Sequence, residues 1–128
     1  MFGAEFFDFG LVILDFGFLS IWLQVCKKNE TILEVIKELF DKFGEDNFQL
    51  TDYWEDDLYA VGIKNVTDRK HLIYISTFNR PIGFYFVEVE KSNSETDLAD
   101  YSVVKKFEKA GFDQILELFR KYLYLKPL

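Results

Sequence analysis

HLIYISTFNRPIGFYFVEVE, residues 71–90, is the stretch whose reading decides the fold. Side chains alternate along it with a period of two. His71, Ile73, Ile75 and Thr77 fall on one side, and Leu72, Tyr74, Ser76 and Phe78 on the other. After Asn79-Arg80-Pro81 and just beyond it Gly83, the alternation resumes. Phe84, Phe86, Glu88 and Glu90 oppose Tyr85, Val87 and Val89. A period of two over this length predicts strands. So short a connection joins neighbours only if they run antiparallel.

The same logic extends in both directions. Upstream, Thr67-Asp68-Arg69-Lys70 reads as a turn, LYAVGIKNV (58–66) as the preceding strand, and Phe48–Tyr53 as a short one. Downstream, KSNSETDLAD (91–100) is a polar loop. Tyr101–Phe107 could be strand or helix; the β-branched Val103-Val104 and the punctuating Gly111 favour strand.

Two helices frame the meander. Thr31 with Glu34 three residues later forms a capping-box pattern. Ile32, Val35, Ile36, Leu39, Phe40 and Phe43 then make one apolar stripe, and Gly44 is suited to end it. A terminal helix is expected from Asp113 as N-cap to Leu123. Its apolar face holds Ile115, Leu116, Phe119, Tyr122 and Leu123, and Arg120 and Lys121 suit its C-terminal dipole. The reading is an α+β fold over residues 1–128 as a single globular domain, a mainly antiparallel sheet with two packed helices.

Phe6–Cys26 is very apolar and followed by Lys27-Lys28, a pattern that superficially suits a membrane span. Asp8 and Asp15 interrupt it, at about 2.5–3.5 kcal/mol for an Asp at mid-bilayer. Gly10 and Gly17 weaken a helix, and no basic residue precedes the run as in a signal peptide. Leu19, Ile21, Leu23 and Val25 alternate with Ser20, Trp22 and Gln24, so the run is expected to form buried strands, with Leu11–Leu14 as another and Asp15-Phe16-Gly17 as the turn. Cys26, the lone cysteine, excludes an internal disulfide and reads as a core residue in a reducing, cytoplasmic setting.

Composition narrows the function. Fifteen basic and 22 acidic side chains give a net charge of −7. That disfavours partners rich in phosphate, nucleic acid and anionic membrane alike. It suits a protein partner with a basic surface, and it also serves plain solubility. No metal-ligand spacing, phosphate loop or nucleophile elbow occurs. Asp-Phe-Gly at 8–10 and 15–17 has no kinase context. His71 beside a turn is a structural histidine on this reading, so no catalytic residue, cofactor or metal site is assigned.

The most distinctive segment is Asp52, Tyr53, Trp54, Glu55, Asp56 and Asp57. Between residues 41 and 60 stand Asp41, Glu45, Asp46, Asp52, Glu55, Asp56 and Asp57 against one base, Lys42. Two such carboxylates could serve a glycosidase, although nothing in the sequence marks a cleft. The ligand order of a calcium loop is missing. A solvated acidic turn is one reading. The other is a partner-binding face in which Tyr53 and Trp54 anchor and the acids steer.

The strand run LYAVGIKNV, HLIYISTF and IGFYFVEVE, closed by GFDQILELFRKYL, in a small acidic chain, resembles bacterial immunity proteins of polymorphic-toxin and contact-dependent growth-inhibition systems. The resemblance spans roughly residues 19–125 and brings no residue-by-residue site with it. It implies a cytoplasmic, non-enzymatic protein that binds a cognate toxin, often a nuclease, and occludes its active site or an exosite. A non-enzymatic interaction module or assembly subunit is the alternative, and a small-ligand or lipid-binding domain a third.

Overall fold

The computed structural model describes residues 28–51, 57–67, 70–93 and 100–128. The expectations for Phe6–Cys26, including the fate of Cys26, and for Asp52–Asp56 lie outside the described residues. Helix α1 spans Glu30–Phe43, followed by strands β1 (Phe48–Thr51), β2 (Ala60–Asn65), β3 (His71–Ser76), β4 (Phe84–Ser92) and β5 (Tyr101–Gly111), and by helix α2 (Phe112–Tyr122). The strands lie in chain order, β1-β2-β3-β4-β5, each antiparallel to the next. The fold is α+β.

The alternation predicted for residues 71–90 sets the sheet's two faces. Tyr74 opposes Glu88 and Ile75 opposes Val87, so Ile73, Ile75, Tyr85, Val87 and Val89 share one side. Val61 and Ile63 of β2 and Phe48 and Leu50 of β1 join them in the core with α1 and α2. Tyr101–Phe107 is strand, and the strand continues to Gly111. Its pairing with β4 contains two register shifts, between Tyr85 and Val87 and between Val89 and Glu90. Such irregularities spoil the alternation that would have marked the strand's full length.

Both helix starts differ from the sequence reading. The cap of α1 is Asn29, not Thr31: its side-chain oxygen accepts from the Thr31 N–H at 3.0 Å and the Thr31 hydroxyl at 2.7 Å. An Asn satisfies the free N–H groups of a first turn as well as a Thr does, and here it comes two residues earlier. Gly111, not Asp113, precedes α2, which has no side-chain cap. The chain passes from β5 straight into the helix, so Asp113 falls inside the first turn, where its charge suits the dipole. Gly44 ends α1 as expected, at φ 85°, with its N–H donating to Phe40 O at 2.9 Å.

The two helices and the edge strand meet in one aromatic cluster. Phe43 stacks on Phe119 at 5.3 Å, Phe40 on Phe48 at 5.1 Å, and Phe48 meets Phe119 edge-on at 6.3 Å. The C-terminal residues are fastened to it: Asn65 donates to Leu123 O at 2.6 Å and Leu128 N–H donates to Lys42 O at 2.7 Å. Phe48→Ala is expected to cost about 3–5 kcal/mol, the range for truncating a buried aromatic. Urea unfolding should show a lower midpoint with an unchanged slope.

Candidate interaction surface

At the end of the sheet where β3 leaves and β4 enters, three chain segments are tied together. The Asn29 N–H donates to Leu58 O at 2.7 Å, and the Thr77 N–H donates to Tyr59 O at 2.9 Å. The hydroxyls of Thr31 and Thr77 lie 2.7 Å apart. The start of α1, the approach to β2 and the end of β3 therefore form one rigid rim. The β3–β4 connection is itself held by Arg80 N–H to Thr77 O at 3.3 Å and Phe84 N–H to Pro81 O at 3.1 Å. Asn79 at φ 55° and Gly83 at φ 87° supply its left-handed positions.

Large apolar side chains stand exposed on this rim. Ile82 is 99% exposed and Phe78 62%, with Leu58 and Phe84 also exposed. Phe78 leans edge-on against Tyr59 at 5.4 Å. Beside them runs a groove of about 260 Å³, with Glu30 and Glu34 of α1 on one wall, Pro81, Ile82 and Phe84 on the other, and Tyr85 between. Burial pushes the Tyr85 hydroxyl above its ordinary range, and the carboxylates of Glu38 and Glu34 add to it. The basic side chains on the turn side are engaged locally. Arg80 lies 3.5 Å from Glu108 and 5.6 Å from the Phe86 ring, and Lys109 sits 4.9 Å over Phe84. No ion pair among the described residues involves Glu30, Glu34 or Glu38.

Of the segment Asp52, Tyr53, Trp54, Glu55, Asp56 and Asp57, the described residue is Asp57, and it leads into this rim. Its carboxylate accepts from the Tyr59 N–H at 3.0 Å and the Tyr74 hydroxyl at 3.1 Å, and its carbonyl accepts from Lys28 Nζ at 2.9 Å. Both carboxylate oxygens are thus engaged within the protein. Tyr74 is pushed up to about 12 by burial first and then by Asp57. His71 lies on the helix side of the sheet, its ring 5.4 Å from that of Tyr122.

The sequence reading gave no binding role to Leu58, Phe78, Ile82, Glu30 or Glu34, and used Glu34 only as part of a capping-box pattern. Ile82 carried a usable signal: an isoleucine between Pro81 and Gly83 sits in a turn, where no sheet face can bury it.

The sheet face away from the two helices is mixed: fully buried Leu72 lies there with Tyr74 and Phe86 beside charged residues. Lys64 is fully buried with its ammonium 5.0 Å from the Tyr101 ring, and Glu88 and Glu90 share that face of β4. Burial raises the Glu90 carboxyl from 4.5 to about 7, helped by repulsion from Glu88 and a hydrogen bond with it.

No protein-family model matches the chain, and comparison with curated proteins and with solved structures finds no match. Among the described residues no group of three or more metal-binding side chains occurs, and no helix is long and apolar enough to cross a membrane.

Two outcomes check this geometry. Asp57→Ala should lower stability by about 1–3 kcal/mol, because it leaves the Tyr59 N–H and the Tyr74 hydroxyl without their acceptor; thermal melting measures it. Glu90 ionises near 4.5 when unfolded and near 7 when folded. Between those values the unfolded chain gives up a proton that the folded chain keeps, so this group makes stability fall as pH rises through that window. Glu90→Gln should flatten that fall in urea midpoints taken from pH 4 to 8.

Proposed function

We propose that the protein binds another protein and, as an immunity protein, neutralises a cognate bacterial toxin by covering its active site or an exosite. The observation that carries the binding step is the rim: fully exposed Ile82 and largely exposed Phe78 stand beside carboxylates that have no ion-pair partner among the described residues. Exposed apolar side chains bordered by charge are what a desolvated interface core and its polar rim require. Of the segment Asp52–Asp57, the described Asp57 leads into the same rim, and we assign Tyr53 and Trp54 as anchors and Glu55 and Asp56 as steering charges. The partner presents a basic surface, which suits a nuclease toxin. No cofactor takes part in occlusion, and the compartment is the cytoplasm, where such a toxin acts.

A second reading, a subunit of a larger assembly, is favoured by β5. It is an 11-residue edge strand on which Val103 and Val104 are exposed, a surface open to strand addition. Lys105, Lys106 and Lys109 along it act against casual pairing of this kind.

The direct experiment is co-expression with the product of the gene immediately upstream. Protection from its toxicity, together with a stable complex of the two purified proteins, supports the proposal; a harmless, non-binding product sinks it. Within such a complex, Trp54→Ala should speed dissociation, because an anchor acts after docking. Asp56→Lys should slow association at low salt, and the defect should shrink above about 0.15 M, where exposed charges are screened beyond roughly 8 Å. Surface plasmon resonance at two salt concentrations, run beside melting curves, separates both effects from loss of fold.

A further inference from the structure

We infer that the groove between α1 and the β3–β4 turn receives a lysine or arginine side chain flanked by an aliphatic one, presented by a segment of the protein partner. This rests on the partner-binding reading above and names what one part of the surface recognises.

Size decides first. Pockets that enclose small-molecule ligands run to about 300–1,000 Å³. At about 260 Å³ this groove suits one or two side chains rather than a whole metabolite. Charge decides next. Glu30, Glu34 and Glu38 recur every fourth residue on one helix face, so neighbouring carboxylates are close enough to hold one cation between them. The positive end of the helix dipole opposes a cation at Glu30 but fades within the first turn. The favoured seat is therefore beside Glu34, which lines the groove next to Tyr85, with Glu38 one turn further along the same helix face adding to the negative field. The bases on the facing wall do not fill that seat, because Arg80 is held by Glu108 and Lys109 lies over Phe84.

Apolar complementarity decides the rest. Ile82 stands wholly in solvent on a turn that the Phe84 N–H to Pro81 O bond keeps in shape, with Phe84 next to it. A cation alone would leave that surface wet, and an aliphatic neighbour covers it. An acidic or phosphate-bearing ligand is opposed by the same carboxylates. A second copy of the chain is the remaining occupant, and the experiment below reports on it.

The test is selection of a phage-displayed random 12-residue peptide library on the intact chain, followed by calorimetry with one enriched synthetic peptide. The expected result is a shared Lys or Arg next to Leu, Ile or Phe, with binding weakened at least tenfold by Ile82→Asp and by Glu34→Lys with Glu38→Lys. Melting temperatures should hold within about 2 °C, since these side chains lie on the surface. Peptides without a base, peptides indifferent to both variants, or no enrichment at all would overturn the groove assignment. So would a stable homodimer that Ile82→Asp dissociates. None of these touches the toxin-neutralising reading, which fails separately if co-expression gives no protection.

Discussion

The contact between Phe119 and the pair Phe43 and Phe48 is the point on which the rest of the described structure depends. It joins the last helix, the first helix and the edge strand in one stacked and edge-on cluster. Each of those elements is weak without it. β1 has only four residues, and α2 has no side-chain cap. Short strands and uncapped helices are held by burial and not by their own propensity. Among the described aromatics, Phe40, Phe43, Phe48, Tyr85 and Phe119 are buried in this core, while Phe78, Phe84 and Tyr124 stand exposed.

Placing both helices on one side of the sheet has consequences at its end. Among the described residues, neither helix covers the tip of the β3–β4 connection, and Ile82 and much of Phe78 stand exposed. Four backbone hydrogen bonds across the rim and within its turn hold that connection in place. An exposed side chain on a rigid turn loses less conformational entropy on binding than one on a loose loop. The rim is thus suited to recognition by the same packing that leaves it uncovered.

Much of this was legible in the sequence, because period-two alternation and an apolar helical stripe report burial directly. Residues 71–90 showed two strands, their turn and the side of each residue. The strand from Tyr101 was legible from Val103-Val104, but not its length, since register shifts against β4 break the periodicity. Helix starts were misplaced at Thr31 and Asp113 because capping residues compete locally: Asn29 had the better-placed oxygen, and the strand ahead of α2 ran on to Gly111. The surface was harder to read. Asp57 looked like one acid in an exposed run, yet Tyr74, 17 residues on in sequence, reaches back to its carboxylate. A side-chain bond between residues that far apart leaves no local mark.

The distribution of acids matters more to function than their number. A net charge of −7 counts every carboxylate equally, but their fields differ. Asp57 spends its charge on an internal N–H and a phenol. Glu90 is raised to about 7 and so carries only part of a charge near neutrality. Glu30, Glu34 and Glu38 are neither bonded nor paired among the described residues, and they line one face of α1 beside the exposed isoleucine. A helix face with repeating like charge is itself mildly destabilised. Here the core stripe of Ile32, Val35, Ile36, Leu39 and Phe40 outweighs that cost, since each buried aliphatic contributes about 1.5–3 kcal/mol against a few tenths for each repulsive pair. Among the described residues, α1 therefore contributes negative field toward a basic partner from an element whose packing tolerates it well.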